Sequence, residues 1–213
     1  MTPSEIIEVA RNNLNAVADT LWSDTELLKN LYLCELQLAR KTRCIENTST
    51  TTSISGTSDY AVPTRALEIK RITYNGTRID PISLKQYDQI NPQSNSLVGT
   101  PTYYIQFDDL ITLVPTPDTS ALTIKYWVYS EPSVPTLVST LSTPTVYHDG
   151  LCDGLTYRMC PKDLGHPLTT FWRDKWFTFL SDAEANERRR KRGGGFTRVN
   201  CEEESVTTPL GTI

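Results

Sequence analysis

The sequence predicts an α+β fold: a helical bundle with an inserted antiparallel β-sandwich or barrel-like module and an extended C-terminal arm. Three observations predict it. Apolar residues recur every three or four positions up to about residue 45, every second position between about 59 and 143, and every fourth position again from 144. Asn75-Gly76 stands between Ile72-Thr73-Tyr74 and Thr77-Arg78-Ile79, a strong hairpin signal because both turn residues tolerate positive φ. Periodicity then ceases after Gly193-Gly194-Gly195. The division that follows is a discontinuous bundle over 1–46 and 144–192, a β module over 59–143 and a docking arm over 193–213.

The bundle opens with Thr2-Pro3-Ser4-Glu5, a capping box with proline at the first helical position. Ile7, Ala10, Leu14, Val17 and Leu21 then share one helix face. Ser23-Asp24-Thr25-Glu26 is a second capping box, and Leu27, Leu31, Cys34 and Leu38 carry the stripe onward. Two helices over about 2–21 and 24–45 are expected, meeting at a tight turn near Trp22. Residues 47–58 are small and polar and read as a surface loop.

Within the β module, Leu67 and Ile69 alternate, then Ile72 and Tyr74, so the phase slips at Lys70-Arg71 and predicts a bulge. Ser83 and Gln86 open a short helix to Ile90. Tyr103, Ile105 and Phe107 alternate up to an Asp108-Asp109 turn, and Leu110 to Val114 return before Pro115 and Pro117. Leu122, Ile124, Tyr126 and Val128 alternate with Thr123, Lys125, Trp127 and Tyr129. Trp127 and Tyr129 leave a large aromatic surface on the second face and are candidates for an inter-subunit contact.

Helices return with Tyr147, Leu151, Leu155 and Met159 at every fourth position. Leu168, Phe171, Trp172, Trp176, Phe179, Leu180 and Ala183 mark an amphipathic last helix. Running to Arg192, it would be about 39 Å long at 1.5 Å per residue. Its aromatic stripe suits a core or a neighbouring subunit, and Trp172 and Trp176 join the inter-subunit candidates.

Composition bounds the function. A hydrophobic share of 38% and a charged share of 22% are those of a globular chain, so wholesale disorder is not expected. A net charge of −4 argues against generic attraction to nucleic acid. The cysteine count is odd, no C-x-x-C pair occurs and the first residues read as a capped helix, not a leader, which predicts free thiols in a reducing cytoplasm. No apolar run approaches the ~20 residues needed to span a bilayer, so no membrane partner is expected.

Few residues offer chemistry. His148 and Cys152 lie one helical turn apart and form the sole candidate nucleophile pair, the basis of a Cys/His hydrolase alternative. With Asp153 they are also the only candidate metal ligands, without a second cluster to support them. Neither catalytic, metal nor cofactor-binding residues are therefore expected, and the chain reads as a non-enzyme. Gly193-Gly194-Gly195 follows a charged helix and lacks a Lys-Ser/Thr pair, so it reads as a helix stop and flexible joint, not a phosphate loop. Arg188, Arg189, Arg190, Lys191 and Arg192 exceed what a helix C-terminus needs for its dipole. They predict docking to an acidic protein surface or, as a second alternative, a nucleic-acid-binding module. Phe196, Val199, Val206, Leu210 and Ile213 are apolar but too scattered for a core, and with the basic run they are the candidate partner-contacting set.

Laid out this way, the chain resembles the head-to-tail adaptor proteins of tailed bacteriophages. Ser4 to Ala18 and Leu21 to Leu28 resemble that family's first two helices. Tyr60-Ala61-Val62-Pro63, the Ile69-to-Ile72 strand and the Asn75-Gly76 turn resemble its first β segments. Pro101 to Tyr104, Ile111 to Pro117 and Ile124-Lys125-Tyr126 are similar to its later strands, and Tyr147-His148-Asp149 to its return to the bundle. The resemblance implies a structural virion protein at the neck, assembled in the host cytoplasm. Its implied partners are the portal protein, tail or nozzle proteins, and itself in a cyclic ring of about twelve copies. DNA would pass through that ring without sequence-specific binding. No catalytic residue or cofactor is carried over.

Overall fold

The computed structural model describes residues 1–15, 21–90, 97–162 and 167–192. The first helix, α1 (Pro3–Asn13), is capped as its sequence requires: Thr2 Oγ1 accepts from Glu5 N–H at 3.3 Å and Glu5 Oε2 accepts from Thr2 N–H at 2.8 Å. It ends earlier than the expected residue 21, because Asn15 adopts a left-handed φ of 53°. Val17 lies outside the described residues. The second helix, α2 (Asp24–Thr42), starts at Ser23, whose Oγ accepts from Glu26 N–H. It stops three residues short of the expected 45, at a left-handed Arg43 with φ of 57°.

Nine strands follow among the described residues: β1 (Glu46–Thr52), β2 (Asp59–Ala61), β3 (Ala66–Tyr74), β4 (Thr77–Pro81), β5 (Val98–Gly99), β6 (Tyr103–Phe107), β7 (Leu110–Val114), β8 (Thr116–Pro117) and β9 (Thr123–Ser130). A helix, α3 (Leu84–Ile90), lies between β4 and β5. The expected loop at 47–58 is corrected over 47–52 by β1, which pairs antiparallel with β9 from Glu46↔Tyr129 to Thr52↔Thr123, while 53–58 is free of helix and strand. Its threonines have β-branched strand preference, and at a sheet edge the backbone pairing with β9 suffices without an apolar stripe.

Seven strands form one sheet in the order β1-β9-β3-β4-β6-β7-β2, curled into a half-barrel. The expectation is an antiparallel sandwich or barrel-like module; the sheet is curled but mixed, so the wholly antiparallel pairing is corrected. The β4 and β6 strands run parallel, because the connection through α3 is a crossover and not a hairpin. The β5–β8 pair is separate and also parallel. Three other expectations for this region hold. Asn75 and Gly76 turn with φ of 46° and 82°, β6 and β7 form a hairpin from Tyr103↔Val114 to Phe107↔Leu110, and the register against β9 slips between Ile69 and Arg71. The inner face of the curl buries Ile72, Tyr74, Ile79, Ile111, Leu113, Ile124 and Tyr126.

Two further α-helices follow among the described residues: α4 (His148–Met159) and α5 (Thr169–Arg192). The α4 helix packs against α1, α2 and α5. Together they enclose a second core of Ile6, Leu27, Leu31, Leu38, Leu151, Leu155, Met159, Trp176 and Leu180. Gly154 permits the α4–α5 approach, since a Cβ there would meet the Trp176 indole at 2.7 Å. The two cores follow the two periodicities: one helical, one of strands.

Candidate interaction site

The hydrolase candidates are locked into packing. His148 is buried at the start of α4, with Nδ1 3.0 Å from the Met1 ammonium and Nε2 3.0 Å from the Thr143 carbonyl. An ammonium only donates, so Nδ1 accepts and Nε2–H donates to Thr143. The Cys152 thiol donates to the main-chain carbonyl of His148 at 3.5 Å, not to the imidazole. Burial pushes that thiol up to about 11, helped by the Asp153 and Asp149 charges. A thiol held protonated, with the imidazole committed elsewhere, is not an activated nucleophile. Cys34, Cys44 and Cys160 are buried as well. Among the described residues no group of His, Cys, Asp and Glu is placed to hold a metal ion.

The basic run is largely engaged within the subunit. Arg188 pairs with Glu184 one turn back. Arg190 bridges Glu187 at 2.8 Å and Glu46 of β1 at 3.2 Å. Lys191 donates to the Thr42 carbonyl at 2.8 Å and lies 4.2 Å above the Tyr129 ring. Burial lowers the Lys191 pKa from the ordinary lysine range. Buried Glu187 also accepts from Tyr147 O–H at 2.6 Å, and that phenol's pKa is raised, first by burial and then by the carboxylate. The end of α5 is thus pinned to α2, β1 and β9, which the sequence reading missed. Arg189 and Arg192 have no ion pair among the described residues.

The aromatic candidates separate into two environments. Trp176 is fully buried, stacked with Phe179 at 5.6 Å between ring centres, and its indole N–H donates to Gln37. Trp172 is 8% exposed. Tyr129 is buried beneath Lys70 and Lys191. Trp127 is half-buried on the outer face of β9, with Arg71 and Lys125 each 4.8 Å from its ring centre. Three phenylalanines are more accessible: Phe107 at 71%, Phe171 at 56% and Phe177 at 46%. Phe177 escaped sequence reasoning because it falls one position off the Trp176 stripe. Phe196, Val199, Val206, Leu210 and Ile213 lie outside the described residues.

No described helix is long and apolar enough to cross a membrane. The family model for the SU10 adaptor protein matches residues 1–200. No curated protein matches the chain. With nearly its whole length matched, the chain belongs to the SU10 adaptor family, in agreement with its resemblance to phage head-to-tail adaptors.

Proposed function

We propose that this member of the SU10 adaptor family is a structural virion protein that binds the portal, closes into a cyclic ring with copies of itself, and offers the tail its attachment platform. The observation that carries the reading is the family match over residues 1–200, which spans both cores. The environment of His148 and Cys152 supports it by accounting for the one candidate nucleophile pair as packing. In a ring each subunit uses one heterologous contact, repeated until it closes. Trp127, Phe171 and Phe177 are accessible enough to contribute to such a contact, whereas Trp172 and Tyr129 would add edges and Trp176 supports the fold behind them. Residues 193–213 serve as the docking arm for the portal, with Arg189 and Arg192 as the cations left to steer it. DNA passes through the assembled ring without base-specific contact, and the protein resides in the virion neck.

Mixing the purified chain with portal rings of its phage tests this reading. The full chain is expected to bind and to add several subunits per portal, read by native mass spectrometry. A chain ending at Gly195 is expected to stay folded and lose binding. Full-chain samples in which the portal mass is unchanged would overturn it.

A further inference from the structure

The outer face of β1, β9 and β3 carries two cations, Arg71 and Lys125, without a carboxylate partner among the described residues. The register places Thr48, Trp127 and Arg71 in one row across the three strands, and Thr50, Lys125 and Thr73 in the next. Arg71 and Lys125 both contact the Trp127 ring face at 4.8 Å. Of the neighbouring cations, Lys70 pairs with Glu46, Arg43 with Glu68, and Arg190 with Glu46 and Glu187, while Lys191 is held by the Thr42 carbonyl and the Tyr129 ring. Among the described residues neither Arg71 nor Lys125 has an ion pair. Two like charges drawn to one indole, without a counter-charge, make a place where a carboxylate is favoured.

The chain itself carries a run of carboxylates close to that place in sequence reach. The α5 helix ends at Arg192, and Lys191 already rests on Tyr129. Tyr129 and Trp127 share a face of β9, two residues and so about 7 Å apart. Twenty-one residues follow Arg192, beginning with three glycines, and Glu202-Glu203-Glu204 starts ten residues on. Ten residues reach up to about 33–36 Å, several times the step from Lys191 to Trp127. We propose that in the free subunit Glu202-Glu203-Glu204 docks on Arg71 and Lys125 of the same chain, across the face of Trp127. The contact belongs to the free subunit and does not depend on what the arm meets in the virion.

A nucleic-acid strand suits the surface less well. Glu46 and Glu68 border the strip at its Tyr129 end and repel a phosphate backbone running along β9, whereas a short acidic run needs only the two cations. The net charge of −4 opposes a polyanion further.

The experiment follows the Trp127 indole N–H resonance in the ¹⁵N-labelled full chain, identified with Trp127→Phe. The combined Glu202→Gln, Glu203→Gln and Glu204→Gln substitutions are expected to shift this resonance at low salt, leaving those of Trp22, Trp172 and Trp176 in place. High salt on the unsubstituted chain is expected to reproduce the shift, through screening. An unmoved Trp127 resonance in the triple variant overturns the proposal. A resonance that changes on dilution overturns docking within one chain, because the acidic run then comes from a second copy. Mixed-sequence single-stranded DNA is expected to move the signal less in the unsubstituted chain than in the triple variant. Equal movement in both identifies a nucleic-acid surface and overturns the proposal.

Discussion

Trp176 on α5 and Trp127 on β9 stand on elements whose periodicity is plain in the sequence, yet they reach opposite environments. Trp176 faces Gly154 across the α4–α5 seam, where the missing Cβ lets two helices close on the ring. Trp127 faces Arg71 and Lys125 on the outside of the sheet, where the ring has cations over it but no apolar layer. The difference teaches which aromatic residues hold the subunit together and which remain available to a partner. A glycine opposite an indole marks close packing, and unpaired cations beside one mark an open surface.

The largest effect that would sharpen this contrast is Trp176→Ala. Emptying a fully buried indole site should cost about 3–5 kcal/mol, read as a lowered urea midpoint, or the loss of a folded population. Tyr147→Phe comes next. It removes a hydrogen bond to the buried Glu187 carboxylate and should cost about 1.5–3 kcal/mol in the same measurement. Gly154→Ala forces a methyl against Trp176, and overpacking of this kind costs about 1–3 kcal/mol. Gly150→Ala probes the same seam and should also destabilise, since its new methyl would meet the Phe179 ring.

Glu35 tests the helical layer through pH. It is wholly buried, and burial raises its pKa although Thr143 donates to Oε1 from both N–H and Oγ1–H. The folded state therefore holds the proton more tightly than the unfolded chain. Its contribution is fully present below the unfolded carboxyl pKa and is lost as pH rises through the folded pKa. Glu35→Gln should flatten that fall and stabilise the chain at neutral pH, seen as a urea midpoint that varies less with pH. The smallest effect is expected from Trp127→Ala, which should change stability by less than about 1 kcal/mol. A loss as large as that from Trp176→Ala would erase the contrast between the two sites.

The parts of the fold legible in the sequence are those fixed by local chemistry. The Thr2–Glu5 cap, the Asn75-Gly76 turn and the Lys70-Arg71 bulge each need only neighbouring residues, and each is present. The β1 strand was not legible, because an edge strand of threonines draws its stability from distant β9 and carries no apolar alternation. The parallel β4–β6 step was hidden for a related reason, since it depends on how the α3 crossover closes the curl. The basic run was visible as a charge feature, but its engagement was not: Glu46 and Thr42 lie far from Arg190 and Lys191 in sequence. Exposure of Phe171 and Phe177 was also beyond periodicity, which identifies a stripe without setting its width.

The central claim is assembly at the portal, and cryo-electron microscopy of intact virions tests it most directly. The account predicts several copies of this chain in one cyclic layer between portal and tail, with the α5 and β9 outer surfaces near subunit boundaries or partners. A neck that lacks the chain, or holds a single copy outside any ring, would contradict it.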